Sequence, residues 1–235
     1  MTEAAAMSRP EAGMGQGPRE PVMRSVVHRT HTTLGATFEK RGAWSVPVVY
    51  GSGDQEIAAL RSTLGFADIS ARGKLHLGGA VDNHIRSLTG AAIDHLHTAP
   101  VATGGTVARI AGDWALALLA PSAEADALRS LEHQQAEGAI AADVTGALAG
   151  FLVAGPRLED FLARTVTIDP ADLRPGRCTA ASWARIPAIL VMKDLSEPAV
   201  EIYVSSEYGR YAWDVLQTLA GSPVGWRALE TWGWK

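Results

Sequence analysis

Two short segments of this chain repeat the same order of residue types about 75 residues apart. Asp68-Ile69-Ser70 precedes a strand pattern, a glycine at position 79 and a helix pattern. Asp143-Val144-Thr145 precedes another strand pattern, Gly155-Pro156 and another helix pattern. A strand and helix of this kind bury their apolar faces only against a further layer. The repeat therefore predicts two related α+β halves that pack face to face.

Composition excludes several classes of protein. Of the 235 residues, 47% are apolar and 20% are charged, as in an ordinary globular chain. The net charge of −4 comes without a block of Lys and Arg, so we expect no nucleic-acid partner. The apolar runs are too short to cross a bilayer, so we expect no membrane span. Cys178 is the single cysteine, which excludes an internal disulfide and predicts a cytoplasmic location.

The predicted domain organisation is simple. Residues 1–24 are rich in Gly, Pro, Ala and Glu and carry no apolar h-region, so they predict a disordered N-terminal tail and not a secretory signal. From residue 25 to residue 235 short strand and helix patterns alternate, which predicts one domain.

Some boundaries follow from local residues. Gly65 predicts the end of the helix that starts near Asp54, and Ser122 predicts the N-cap of a later helix. A hairpin is expected to turn at residues 111–113. The run "SWARIPAILVMKD" from Ser182 is expected to form one strand that pairs with Val200–Val204.

Further segments stand in a characteristic order along the chain. They are Gly42, Trp44, Pro47 and Tyr50, then "GFADIS" from Gly65, "GFLVAGPRLEDFLARTV" from Gly150 and "SEPAVEIYVSSEYGRYAWDVL" from Ser196. Together they resemble the tetrahydrofolate-binding region of the glycine cleavage T-protein (aminomethyltransferase) family over about residues 28–232. The resemblance implies an α+β domain of the T-protein folate-binding type. T-proteins continue into a C-terminal β-rich domain, which we expect this chain to lack.

The latter half also resembles a relative of that family. "ADVTGALAGFLVAGPRLEDFL" and "GRCTAASWARIPAILV" are similar to the gamma subunit of heterotetrameric sarcosine oxidase. That resemblance implies a non-catalytic subunit beside a flavin-bearing partner.

The T-protein resemblance implies a folate anchor at Glu197. In the family the first Glu of a Gly-Glu-Asp-Gly-Phe-Glu segment holds the pterin ring, and Glu197 stands at that position. A carboxylate offers two acceptors to the neighbouring ring N–H and amine of a pterin. Pro198-Ala199 replaces Asp-Gly here, and the alternative is a solvated turn acid. Trp44 and Tyr50 are expected to stack on the pterin, and Glu201 is expected to be structural.

The family's catalytic Asp has no counterpart. Depending on the alignment of "VATGGTVARIAGDW", its position falls on Gly104, or on Ala108 with Arg109. None of these side chains moves a proton at neutral pH. His95 and His97 are substitute bases if they are not merely solvated loop residues. We expect no metal site, and an inert thiol at Cys178.

Trp226, Trp232 and Trp234 lie close together near residue 235. They either cover this domain's own core or form an interface with a flavoprotein subunit or a second copy. Two functions remain open. One is a tetrahydrofolate-dependent transferase or demethylase acting on a methyl or aminomethyl group of a small methylated amine, with an atypical active site. The other is the non-catalytic subunit of an amine oxidase complex.

Overall fold

A computed structural model describes residues 22–133, 137–193, 195 and 197–234. The strands are β1 Met23–Arg24, β2 Thr37–Arg41, β3 Trp44–Val49, β4 Gly65–Asp68, β5 Gly73–Gly79, β6 Thr98–Pro100, β7 Thr106–Ala111, β8 Trp114–Leu119, β9 Ala139–Asp143, β10 Leu148–Ala154, β11 Cys178–Trp183, β12 Ile186–Lys193, β13 Ala199–Ser205 and β14 Ser222–Pro223. The helices are α1 His28–Thr33, α2 Gly53–Ser62, α3 Val81–Thr89, α4 Glu124–His133, α5 Leu158–Thr165, α6 Gly209–Leu219 and α7 Trp226–Trp232.

Two large sheets have matching strand orders. The six-stranded sheet runs β11-β12-β13-β10-β4-β14, and the five-stranded sheet runs β6-β7-β8-β5-β9. Position by position, β11 to β4 of the first sheet correspond to β6 to β9 of the second. Neighbours within these five positions pair antiparallel. A small sheet, β1-β3-β2, adds to this frame. The prediction of two related α+β halves is confirmed.

The two halves exchange strands. β4, which ends at Asp68, pairs with β10 of the second half, and β9, which ends at Asp143, pairs with β5 of the first half. At each end the Asp carboxylate accepts the backbone N–H two residues on, at 2.8 Å from Ser70 and 2.8 Å from Thr145. Short polar side chains favour this tight turn, which is why both segments begin with Asp.

The hydroxyl of each turn binds the opposite half. Ser70 Oγ accepts the N–H of Gly150 in β10 at 3.1 Å, and Thr145 Oγ1 accepts the N–H of Lys74 in β5 at 2.9 Å. Since these bonds are buried, each turn joins the two halves and sets the register between them.

The layers follow from the apolar faces. The outer face of the six-stranded sheet packs on α5 and α6, and the outer face of the five-stranded sheet packs on α3 and α4. The inner faces meet in a central core that also takes side chains from β3, α2 and α7. The result is a helix–sheet–sheet–helix sandwich.

Three local predictions were wrong. The helix α2 ends at Ser62, and Gly65 instead begins β4, where an added Cβ would lie 2.9 Å from Leu60. Ser122 lies before α4 and its Oγ accepts the N–H of Ala43 at 3.0 Å, so it does not cap the helix. The run from Ser182 is a β11–β12 hairpin and not one strand, because Ala184 and Arg185 adopt left-handed φ angles of 48° and 68°.

One further prediction agrees with the structure, and another lies mostly outside the described residues. The β7–β8 hairpin turns after Ala111, within the predicted residues 111–113. The predicted tail 1–24 falls mostly outside the described residues, while Met23–Arg24 pair with β3.

A buried polar chain holds α1 to β4. His31 Nε2 lies 2.7 Å from Asp68 Oδ2, and the Tyr50 hydroxyl lies 2.8 Å from His31 Nδ1. Burial alone would raise the pKa of Asp68, but the hydrogen bond and the charge of His31 outweigh burial and lower the pKa. The pKa of Tyr50 is raised by burial and by nearby carboxylates. Asp68 therefore stays ionised to a lower pH than an ordinary aspartate side chain.

Lys74 is another buried ionisable group at the join between the halves. Its side chain is fully buried, and Nζ donates to the carbonyls of Ser70 at 2.8 Å and Arg72 at 2.7 Å. Burial lowers the pKa of Lys74 to about 8.

We expect Asp68→Asn to lower the free energy of unfolding at pH 7 by about 2 kcal/mol, since it removes a charge-assisted buried hydrogen bond. The pKa of Asp68 is lowered in the folded state, so its stabilisation is present above the unfolded pKa and disappears as the pH falls through the folded value. Urea unfolding between pH 2 and pH 7 should show a shallower acid loss in the variant. Asp113→Asn, at an exposed turn, is the control, and equal acid slopes would contradict the assignment.

We expect the stability of the wild-type chain to gain up to about 1.4 kcal/mol per pH unit from Lys74 between pH 8 and pH 10.5. The sign follows from the lowered pKa, because in this range the unfolded chain binds the proton that the folded chain has released. Lys74→Met removes this group. Chemical unfolding of both proteins across this range measures the difference in slope, and a variant with the wild-type slope would overturn the prediction.

Candidate functional site

Glu197 lies just before β13 at the edge of an open cavity of about 420 Å³, here called the outer cavity. The Glu197 side chain is half-buried. It makes no hydrogen bond or ion pair with any other residue that the structure describes. A carboxylate that is partly withdrawn from water without a partner can accept two donors from a ligand.

The walls of the outer cavity are mostly apolar, with charged groups at a few points. Its charged lining residues are Glu159, Arg174, Lys193 and Glu197. The apolar lining residues are Pro156, Leu158, Leu162, Pro170, Ala171, Leu173, Pro175, Met192, Leu195, Pro198 and Ala199. A few convergent polar groups on an apolar wall are typical of a small-molecule site.

A middle cavity adjoins the outer cavity, and a third, the far cavity, shares no lining residue with either. The middle cavity, of about 360 Å³, shares Met192, Lys193 and Leu195 with it and is also lined by Thr106 and Gly233. The far cavity, of about 350 Å³, is lined by Arg72, Gly104, Gly105, Leu119, Ala120, Pro121, Trp226, Glu230 and Trp234. Consecutive residues, Gly233 and Trp234, thus line the middle and far cavities.

Glu201 occupies the centre between the sheets and is fully buried. Its carboxylate accepts from Arg72 Nη1 at 2.5 Å, Trp234 Nε1 at 2.9 Å and the Tyr203 hydroxyl at 2.8 Å. Lys193 Nζ lies 3.5 Å away. Burial alone would raise the pKa of Glu201, but Arg72 and Lys193 outweigh burial and lower it. Glu201 is an ionised, fully paired carboxylate, as expected of a structural residue.

The residues that align with the family's catalytic Asp have other roles in this chain. Ala108 is buried in the central core, and Gly104 lines the far cavity with φ 98°. Arg109 Nη1 binds Asp82 of α3 at 2.6 Å and the carbonyl of Ile93 at 2.9 Å. Arg109 therefore ties α3 to β7, and none of the three supplies a base.

The two histidines predicted as substitute bases lie outside the outer cavity. His95 is exposed. His97 Nδ1 lies 2.9 Å from the carbonyl of His95, and its Nε2 lies 2.8 Å from Arg177 Nη1. Since the guanidinium only donates, Nε2 accepts and its lone pair is occupied. His97 in this arrangement joins β6 to the segment before β11 and has no free acceptor.

The predicted folate-binding residues do not surround one cavity. Trp44 is buried in the central core. Tyr50 lines a separate small cavity near α2, and its hydroxyl is engaged by His31. Only Glu197 of the three lines the outer cavity.

Cys178 and the tryptophans near residue 235 are largely covered by this chain. Burial raises the pKa of Cys178 to about 12, so the thiol is protonated at neutral pH. Trp226 and Trp234 belong to the central core and Trp232 packs against it half-buried. Trp226 and Trp234 are therefore unavailable as an exposed interface.

Two kinds of feature were searched for in the described part of the chain. Its His, Cys, Asp and Glu side chains form no group of three that could hold a metal ion. Among its helices, none has the length and apolar character needed to span a membrane.

Two relatives found by sequence similarity are both named aminomethyltransferase. Aminomethyltransferase from Bacillus pumilus (strain SAFR-032) is 25% identical over 220 residues, covering 86% of this chain and 60% of the relative. Aminomethyltransferase from Parafrankia sp. (strain EAN1pec) is 28% identical over 229 residues, covering 88% and 62%. The chain thus spans less than two thirds of the length of these relatives.

Solved structures share the fold. Aminomethyltransferase T of the glycine cleavage system from Bartonella henselae superposes with a TM-score of 0.77 at 15% identity, over 90% of this chain and 62% of that chain. A chain of heterotetrameric sarcosine oxidase from Corynebacterium sp. U-96 gives a TM-score of 0.56 at 17% identity, over 72% of this chain and 93% of that chain. The predicted α+β fold of the T-protein type is confirmed.

The GCVT N-terminal domain model matches residues 27–232, which is most of the chain. This match agrees with the segments that resemble T-proteins over about residues 28–232. The chain therefore belongs to the GCVT N-terminal domain family.

Proposed function

We propose that this chain binds a reduced folate, tetrahydrofolate or a one-carbon derivative, with Glu197 as the anchor of the pterin ring. The observation that carries the proposal is the half-buried carboxylate of Glu197, which has no partner among the described residues and lies on a cavity of about 420 Å³. A pterin presents a ring N–H and an amine side by side, and a carboxylate accepts both.

The rest of the outer cavity suits the remainder of a folate. Leucine and proline side chains offer apolar contact to flat rings, and Arg174 offers positive charge to the glutamate tail. The walls contain no aromatic side chain among the described residues, so stacking on Trp44 or Tyr50 is not part of this mode. Family membership supports the choice of a folate over other bicyclic ligands.

The chemistry that follows binding is a one-carbon transfer or demethylation with an atypical active site. The donor class is a small methylated amine. Neither Gly104 nor Ala108 supplies a proton acceptor, and His97 is bonded to Arg177. Glu159 and Glu197 are the carboxylates on the described wall of the outer cavity, so proton transfer at a bound folate falls to them. We place this activity in the cytoplasm, where the lone thiol remains reduced.

We expect tetrahydrofolate to bind the purified chain saturably and Glu197→Gln to weaken binding about tenfold to a hundredfold, since a charge-assisted bidentate contact is lost. Isothermal titration calorimetry without oxygen measures both. Glu159→Gln, on the same wall, is the matched control and should change affinity much less. No heat with the wild-type chain would refute the folate proposal, and equal loss in both variants would refute the special role of Glu197.

A second candidate function is a non-catalytic subunit beside a flavoprotein. The observation that favours it is the closed centre, where Glu201 is fully paired within the chain and no acid stands at the family's catalytic position. Co-expression with the flavin-bearing subunit of an amine oxidase tests it. Flavin absorbance that comigrates with this chain in gel filtration, together with no folate binding, would select the second function.

A further inference from the structure

We propose that the outer, middle and far cavities form one ligand tract and that Trp234 is a displaceable plug that closes its centre. With the plug in place the protein is in a self-blocked state. This inference rests on the proposed folate function and concerns the regulation of the same tract. When the tract is open, part of a planar heteroaromatic ligand that carries an N–H takes the position that the Trp234 side chain occupies when the tract is closed.

The position of Trp234 is the first support. The outer and middle cavities share Lys193 and Leu195, and the middle cavity reaches Gly233. The far cavity begins at the next residue, Trp234, and extends to Gly104 and Gly105. Residues 233 and 234 are therefore the wall between the Glu197 side of the tract and the side on which the family's acid would stand.

The contacts of the indole are those of a bound ligand. Trp234 Nε1–H donates to Glu201 Oε1 at 2.9 Å. The ring meets Trp226 edge-on, with centroids 5.3 Å apart, and the Arg72 guanidinium lies 5.3 Å from the ring centroid. A carboxylate acceptor, an aromatic wall and a cation at the ring are the groups that recognise an electron-rich heterocycle carrying an N–H.

The site stays intact when the indole leaves. Without Trp234, Glu201 still accepts from Arg72 at 2.5 Å and from Tyr203 at 2.8 Å, with Lys193 at 3.5 Å. No buried charge loses its last partner, so departure of the plug avoids the large penalty of an unpaired ion. The opened centre would carry one carboxylate and two cations, which suits a ligand with negative charge.

The backbone allows the movement. Trp234 follows the C-terminal end of α7, and Gly233 before it has φ 106°. Trp234 N–H bonds to the carbonyl of Leu229 at 3.0 Å, and Gly233 N–H bonds there as well at 3.0 Å. Rotation at the glycine therefore breaks few backbone hydrogen bonds and leaves the helix in place.

The first experiment removes the Trp234 side chain and adds free indole to fill the space that it leaves. We expect Trp234→Gly to bind indole saturably, measured by thermal shift and calorimetry, and the wild-type chain and Trp232→Gly to bind none. Trp232 is the matched control because it is half-buried beside the same core and its Nε1 has no hydrogen-bond partner among the described atoms. Absence of indole binding to a folded Trp234→Gly protein overturns the proposal.

Tetrahydrofolate gives the second readout. We expect Trp234→Gly to bind it about tenfold more tightly than the wild-type chain, because a plug that is closed nine-tenths of the time weakens apparent affinity by that factor. Unchanged affinity in the variant overturns the plug and leaves the folate proposal standing. Absence of tetrahydrofolate binding in both proteins overturns the folate proposal and the plug with it.

A second substitution keeps the proposal testable if the Trp234→Gly protein does not fold. Trp234→Phe keeps most of the apolar bulk and removes only the N–H that holds the ring to Glu201. If Trp234→Gly does not fold, tetrahydrofolate affinity in Trp234→Phe decides. A gain of a few-fold supports the plug, and no gain overturns it.

Discussion

The exchange of strands between the two halves is the constraint on which the structure depends. Each half begins with a strand that ends in an Asp-x-Ser/Thr turn, and the hydroxyl of that turn binds a backbone N–H of the other half, at Gly150 and at Lys74. Neither large sheet is complete without a strand from the other half. Two sheets joined in this way must pack inner face to inner face, and that contact creates the central core.

The exclusion of water between the two large sheets explains why charged side chains such as Arg72 and Lys74 are buried there. Arg72 and Lys74 stand on or beside β5, which crosses the join, so their charged ends lie where water is excluded. Lys74 is satisfied by two carbonyls and Arg72 by Glu201. A buried pair such as Arg72–Glu201 adds specificity of packing more than net stability. The carboxylate of the same pair also accepts a hydrogen bond from an indole N–H within the core.

The sequence predicted features that are local and missed those that are tertiary. The paired turns beginning at Asp68 and Asp143 show in the order of residues, because an Asp side chain bonds its own neighbours. Gly65 was misread because it serves close packing of β4 under α2 and not a helix end. The partners of Glu201 lay beyond prediction, since Arg72 is 129 positions away in the chain.

Glu197 and Glu201 are close in sequence, yet their carboxylates lie in different surroundings. Glu201 lies within β13, where the neighbouring strands and the second sheet exclude water, so its charge must be paired by the protein. Glu197 lies just before the strand begins, where no neighbouring strand covers it, and its carboxylate stays open to a ligand. In this family member the tract therefore has an open end at Glu197 and a centre filled by the chain's own indole. Under the proposal that Trp234 is a displaceable plug, a ligand reaches Glu201 only when the indole has left that carboxylate.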